Sequence, residues 1–376
     1  MKVQPMRVGV IGSGMISGIY LKNMMNRFEI LRVEGLASAH PEHAKRRADA
    51  FGIPAFTVEQ LLADERIDLI VNLTPTPAHE GLIRRALEAG KHVYTEKTMT
   101  TGHRSARALA DYARDHGLWL GSAPDTFLGA ALQTARRAID EGLIGEVTSF
   151  AFAANRDNSY LTSFYRFLNL PFGGVAYDYS VYYLTALCSL LGPVARVAAT
   201  VRAPYLTHRD INPESPTFGQ DIATPNESEI CAVIALESGV CGTAHVNNDS
   251  VIDDRHFFAI YGTRGILYLP NPDTFGGEVR LLPNWAHGDA PQSPRPLEHP
   301  FGFGDNSRGV GPAELAWSVR AGRPARAGAD MACHVLEVID AIIESGRTNA
   351  FVEVGSTFRR PAPLKAFADS EEQSLQ

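Results

Sequence analysis

Arg7-Val8-Gly9-Val10-Ile11 runs directly into Gly12-Ser13-Gly14-Met15-Ile16-Ser17-Gly18, and this stretch decides the fold. A short apolar run that breaks into glycines and then continues as a helix reads as a buried parallel strand, a tight turn and a helix N-terminus. Gly12 permits the turn, and Gly14 lets the backbone approach a pyrophosphate at the positive end of the helix, with Met15 and Ile16 next to it. The third small position is Ser17, compact enough for close helix–strand packing. The expectation is a dinucleotide site at Gly12, Gly14, Met15 and Ile16.

Working outward, residues 30–37 read as a second strand ending at Ser38-Ala39-His40. An acid normally stands there and accepts from the adenosine ribose 2′-OH. Ser38 offers no charge to repel a 2′-phosphate, and His40, His43, Lys45, Arg46 and Arg47 follow, a set that a charged helix face also explains. The expected cofactor is therefore NAD or NADP. Residues 68–73 form the next strand and lead into Thr74-Pro75-Thr76-Pro77-Ala78-His79. Residues 92–95 form another, with Glu96-Lys97-Thr98 at its carboxyl end, where open α/β sheets bind ligands. A helix over 101–116 and a strand over 118–122 complete the alternation, which predicts an α/β Rossmann domain over residues 1–125.

After Phe127 the pattern changes. A helix to about Asp140 leads through Gly142 and Gly145 into alternating strands at 147–154, 194–202, 230–236, 240–246, 257–261 and 266–269. Many are neighbours in sequence, so residues 126–376 are expected to form an α+β domain with an open, mostly antiparallel sheet. Residues 204–225 and 283–305 read as proline- and polar-rich loops, 331–345 as a late helix, and the acidic tail 366–376 as frayed.

The chain has 376 residues, 45% of them hydrophobic and 20% charged, which suits two globular domains. A net charge of −7 leaves little room for a large basic face, so no nucleic-acid partner is expected. Met1-Lys2 leads straight into the first strand, with no signal peptide and no apolar span of membrane length, so a cytoplasmic protein without a membrane partner is expected. Cys188, Cys231, Cys241 and Cys333 show no C-x-x-C spacing and read as buried reduced thiols. No histidine, cysteine or carboxylate set has metal-ligand spacing, since His40 and His43 lack a third ligand, and no metal is expected.

Four motifs in order, the strand-turn-helix at Gly12, Thr74-Pro75…His79, Glu96-Lys97, and Gly173-Gly174…Asp178…Tyr182, resemble the Gfo/Idh/MocA family of oxidoreductases (glucose–fructose oxidoreductase, inositol dehydrogenase and MocA) over nearly the whole chain. The resemblance implies hydride transfer between NAD(P) and a sugar, polyol or related carbohydrate, and a homodimer or homotetramer formed through the open sheet. It implies that Thr74, Pro75 and His79 line the nicotinamide side, that Glu96 and Lys97 contact cofactor and that Lys97 is also catalytic. Two positions depart from the pattern. Thr98 stands where the family usually has proline after Glu-Lys, and Tyr182 where it usually has histidine.

Asp178 and Tyr182, four apart, would project from one helix face. Asp178 could orient Lys97, hold a substrate hydroxyl or cap the helix, and Tyr182 could be catalytic or one of an aromatic core face with Tyr177, Tyr179 and Tyr183. Arg156, Tyr160, Arg166 and Tyr179 are candidates to line the substrate pocket, with His245 and Asp249 near a strand end. Three functions fit: a carbohydrate or polyol dehydrogenase or reductase, a redox-neutral NAD-dependent glycosidase, and a non-catalytic dinucleotide sensor.

Overall fold

The computed structural model describes residues 4–252, 256–285 and 292–376. Met1-Lys2 and part of the expected loop 283–305 lie outside them. The chain forms two compact units that are discontinuous in sequence. The first comprises Met1–Gln133, Pro300–Cys333 and Pro361–Gln376, and the second Thr134–His299 and His334–Arg360. The contiguous division at residues 125/126 therefore differs from these units, because two later segments return to the first.

In the first unit, β1 (Met6–Ile11), β2 (Leu31–Ala37), β3 (Ala55–Phe56), β4 (Leu69–Asn72), β5 (His92–Thr95) and β6 (Leu120–Ser122) form a sheet of order β3-β2-β1-β4-β5-β6. Every pairing is parallel. Helices α1 (Ser17–Asn26), α2 (Pro41–Phe51), α3 (Val58–Ala63), α4 (His79–Glu88) and α5 (His103–Asp115) connect the strands. All four residues of β4 are buried, as expected of a strand covered on both faces. β1 pairs with β2 on one side and β4 on the other, so the chain order reverses at the carboxyl end of β1, where Gly12 stands.

Next in the chain are α6 (Ala130–Asp140), β7 (Val147–Asn155), α7 (Asn158–Phe164), α8 (Val181–Leu191), β8 (Val194–Arg202), β9 (Thr207–Arg209), β10 (Asp221–Ala223), β11 (Glu229–Leu236) and β12 (Cys241–Asn247). They are followed by β13 (Phe257–Gly262), β14 (Gly265–Tyr268), β15 (Arg280–Pro283), β16 (Arg295–Pro296), α9 (Val310–Ala321), α10 (Ala329–Thr348) and β17 (Val352–Glu353). The second unit holds a nine-stranded sheet of order β16-β15-β14-β13-β7-β12-β11-β8-β17, parallel only between β7 and β12. The expected mostly antiparallel sheet is therefore present. Alternation explains its two faces: Ile230, Ala232, Ile234 and Leu236 of β11 are buried, while Cys231 and Val233 point outward. The 204–225 loop contains a small hairpin, β9 with β10, that its prolines concealed.

Two expectations change here. Cys188 and Cys333 are buried free thiols, but Cys231 and Cys241 are exposed, because each occupies an outward position of its strand. The tail is docked, not frayed. Leu375 is fully buried, Glu371 pairs with Arg27 at 2.7 Å, and Glu372 accepts the amides of Glu29 and Ile30, both at 2.9 Å. Charge that looks like solvated tail thus satisfies backbone donors at the start of β2. Arg323 and Arg326, held by the buried Glu314, also donate to the Leu375 carbonyl. No helix among the described residues is long and apolar enough to cross a membrane.

Candidate active site

Gly12 has φ +118°, and a Cβ there would lie 2.7 Å from the carbonyl carbon and oxygen of Leu73. The turn therefore demands glycine on two counts. Gly14 differs, since a Cβ on it would meet nothing within 4 Å. Among the described residues nothing requires glycine there, and no acceptor takes the amides of Gly14 or Met15. Open space over free amides at the start of α1 fits the pyrophosphate of a dinucleotide. Ser17 is buried and donates to the Gly14 carbonyl at 2.7 Å, and Met15 stands exposed. Ser38 lies at the end of β2, its Oγ accepting the His40 amide at 3.4 Å. Arg47, read above as part of a helix face, reaches back from α2 and donates to the Gly14 carbonyl at 3.3 Å.

The loops after β4 and β5 are bound to each other. His79 is buried at the head of α4, with Nδ1 2.8 Å from the Thr98 carbonyl and Nε2 2.7 Å from the Thr74 carbonyl. Burial holds its pKa below the ordinary 6.5. Both ring nitrogens face protein carbonyls, and the neutral ring, with one N–H, donates to one of them and so ties a loop carbonyl to the head of α4. Thr74 donates to Asn72 at 2.8 Å, and Pro75 is exposed beside it. Glu96 accepts from the Tyr20 hydroxyl at 2.8 Å and from the Lys97 amide at 3.0 Å. That pins the backbone of the half-buried Lys97 to α1, the helix that begins at the glycine turn. The Lys97–Thr98 peptide bond is cis.

Asp125, which sequence reading missed, is buried in the same unit, and its Oδ2 accepts the Gly311 amide at 3.0 Å. Burial pushes its pKa up to about 6, with the Glu96 charge adding to the shift and the Gly311 amide opposing it. Raised above its unfolded value, this carboxyl favours the fold while protonated, and that contribution is lost as pH rises from about 4 to about 6. A shift of about two units corresponds to about 3 kcal/mol. Asp125→Asn is therefore expected to raise stability at pH 7 and to flatten its fall between those pH values, as urea unfolding across pH would show.

The second unit gathers another set. Asp178 lies in a wide π-helical turn, Ala176–Ser180, that runs into α8. Gly173 and Gly174 precede it because a Cβ on either would strike Leu168 or Glu227, and Glu227 accepts the Ala176 amide at 3.1 Å. The Asp178 carboxylate pairs with Arg156 Nη1 at 3.0 Å, and the residue sits inside the turn, whose N-cap position is Val175. The Arg156 guanidinium lies 4.1 Å from the centre of the Tyr179 ring. Arg156, at the end of β7, thus joins the neighbouring candidates Asp178 and Tyr179 in one cluster. Burial pushes the Tyr179 hydroxyl up to about 12, Arg156 opposing it. Tyr182 is buried, its ring 6.3 Å from that of Tyr179. The wide turn adds to the helical period, so four-residue spacing does not by itself put Asp178 and Tyr182 on one face.

Arg166 does not join this cluster. It binds Asp210 at 2.5 Å, Ser215 at 2.7 Å and Thr217, and so fastens the loop between β9 and β10. Tyr160 is exposed and packs on Phe164, with ring centres 4.8 Å apart. His208, also missed, lies between Ser159 Oγ (3.0 Å), Asn158 (3.2 Å) and Asp249 (3.3 Å), while Asp249 takes the Ser228 hydroxyl at 2.5 Å. Asp249 thus faces β9 through His208 and is held by the Ser228 hydroxyl.

Two family models match. "Oxidoreductase family, NAD-binding Rossmann fold" covers residues 6–123, and "GFO/IDH/MocA C-terminal domain" covers 132–268. The chain belongs to the Gfo/Idh/MocA family. Among curated relatives of this Gfo/Idh/MocA protein, a dTDP-3,4-didehydro-2,6-dideoxy-alpha-D-glucose 3-reductase of Streptomyces violaceoruber is 28% identical over 77% of this chain and 83% of its own. An inositol 2-dehydrogenase of Rhizobium meliloti is 31% identical over 38% of this chain and 42% of its own. The matched stretch is less than two thirds of that and several other curated relatives. Among solved structures, a levoglucosan dehydrogenase in complex with NADH superposes with TM-score 0.80 at 21% identity, over 94% of this chain and all of that one. The chain is an NAD(P)-binding member of this oxidoreductase family.

Discrimination between the two dinucleotides is expected to be poor. Ser38 carries no charge to repel a 2′-phosphate, and Arg47 adds positive charge at the glycine turn. Calorimetric titration should give affinities within about a hundredfold, roughly 2.7 kcal/mol. A larger preference for NAD would mean that an acid elsewhere reads the ribose.

Proposed function

We propose that this protein is a dehydrogenase or reductase that moves hydride between NAD(P) and a hydroxyl, or the matching ketone, of a sugar or polyol. The observation that carries the reading is Glu96-Lys97 at the carboxyl end of β5, tied through Tyr20 to the helix of the glycine turn. Curated relatives named as a deoxysugar 3-reductase and an inositol 2-dehydrogenase support the substrate class. When bound, the nicotinamide supplies the hydride chemistry. Lys97 takes the hydroxyl proton in oxidation and returns it in reduction, and within the second unit Asp178 and Tyr182 are the further residues assigned to catalysis. Arg156 and Tyr179 hold Asp178 in place, and the carboxylate accepts from substrate hydroxyls.

Nicotinamide absorbance followed with inositols, aldoses and anhydrosugars, against both dinucleotides, tests this. Net dinucleotide reduction with one of them supports the proposal. Cleavage of aryl glycosides without net cofactor turnover would replace it by the redox-neutral glycosidase, and dinucleotide binding with neither activity by the sensor.

A further inference from the structure

We propose that Glu229, Cys231 and His245 form a site for one divalent transition-metal ion of the zinc class on the outward face of the nine-stranded sheet. Cys231 of β11 and His245 of β12 are direct cross-strand partners. Glu229 precedes Cys231 by two residues, so it projects from the same face. One donor atom from each, a thiol sulfur, an imidazole nitrogen and a carboxylate oxygen, lies within 4.8 Å of the other two. Zinc bound tetrahedrally at about 2.0–2.3 Å sets its donors about 3.3–3.8 Å apart, so closing on a metal needs shifts of about 1 Å. In the single chain Cys231 is exposed and the other two are half-buried, so their side chains can make such shifts without disturbing its core.

The donors select the metal. Sulfur and imidazole together favour zinc, cobalt, nickel or copper over magnesium or calcium, which prefer all-oxygen sites. Three protein donors leave a fourth position for water or a donor from outside the chain. Arg202 pairs with one carboxylate oxygen of Glu229 at 3.3 Å and is its competitor. The arginine side chain is 60% exposed and can swing into solvent. None of the three donors belongs to the residues assigned to hydride transfer, and His245, named above beside the pocket candidates, is here the cross-strand partner of Cys231, so the site stands apart from that reading.

Cobalt titration of the intact, metal-stripped protein tests the proposal, because cobalt bound to a thiolate absorbs by sulfur-to-metal charge transfer. One cobalt per chain should give that band, and zinc should displace it. Cys231→Ser should abolish the band and His245→Ala should weaken binding at least about tenfold. Arg202→Ala should tighten it by freeing the carboxylate. Cys241→Ser removes the other exposed thiol of these strands and should change nothing. Absence of a charge-transfer band in the parent would overturn the site, as would a band that survives Cys231→Ser or disappears with Cys241→Ser. Circular dichroism of each variant separates loss of donors from loss of fold.

Discussion

Replacing Lys97 by alanine is expected to lower turnover about a hundredfold or more while leaving dinucleotide affinity nearly intact. That loss is the usual scale for removing a general acid or base. Affinity should survive because the dinucleotide is held mainly by the amides at the start of α1, and the Glu96 bond to Tyr20 does not involve the lysine side chain. Tyr182→Phe should show a comparable loss, and Tyr182→His a partial recovery, if the phenol shares the proton-transfer task. Steady-state rates with the best substrate of the panel, beside calorimetric dinucleotide titration, separate the two effects. A Lys97→Ala enzyme that turns over at the parent rate would move proton transfer to another group or to water. Tyr182→Phe at the parent rate would leave Tyr182 as packing against Tyr179.

Gly12→Ala and Gly14→Ala are expected to part company. At Gly12 the added Cβ would lie 2.7 Å from backbone atoms of Leu73 and 3.0 Å from the Thr74 amide, at φ +118°. Neither backbone can give way cheaply, because Leu73 follows β4 in the middle of the sheet. The substitution should cost about 2–4 kcal/mol in stability and also abolish dinucleotide binding, because the turn and the α1 amides shift together. At Gly14 the Cβ meets no protein atom, so stability should hold within about 0.5 kcal/mol. Dinucleotide affinity should nonetheless fall sharply, since the methyl occupies space over the free amides. Denaturant unfolding and calorimetry on the two variants read stability and affinity independently. Equal affinity in Gly14→Ala and the parent would mean that the pyrophosphate does not approach there.

The order of elements was legible because it is local. β1 with its glycine turn, and β4 and β5 with their apolar runs, are recognisable from residues a few positions apart, since both periodicity and turn chemistry act over that range. The alternation of β11 and β12 likewise predicted a one-sided sheet. Lys97 and the glycines could be named because each lies within a short motif that a strand end presents. The double glycine before Asp178 was also readable, though its reason, room for Leu168 and Glu227, was not.

Which distant residues become neighbours follows from the folded arrangement alone. Arg156 and Asp178 are 22 residues apart and meet because β7 ends beside the wide turn before α8. His79 stands between the loops after β4 and β5 because Thr74 and Thr98 bring their carbonyls to its two nitrogens. The acidic tail looked solvated and became structural, because Glu371 and Glu372 find donors in Arg27, Glu29 and Ile30 more than 340 residues away. Cys231 and His245 share no spacing that a metal motif would show, yet strand pairing sets them side by side. Sequence periodicity reports which face of an element is buried. What that face meets depends on strand order and register, and these are set by the summed burial of the whole sheet.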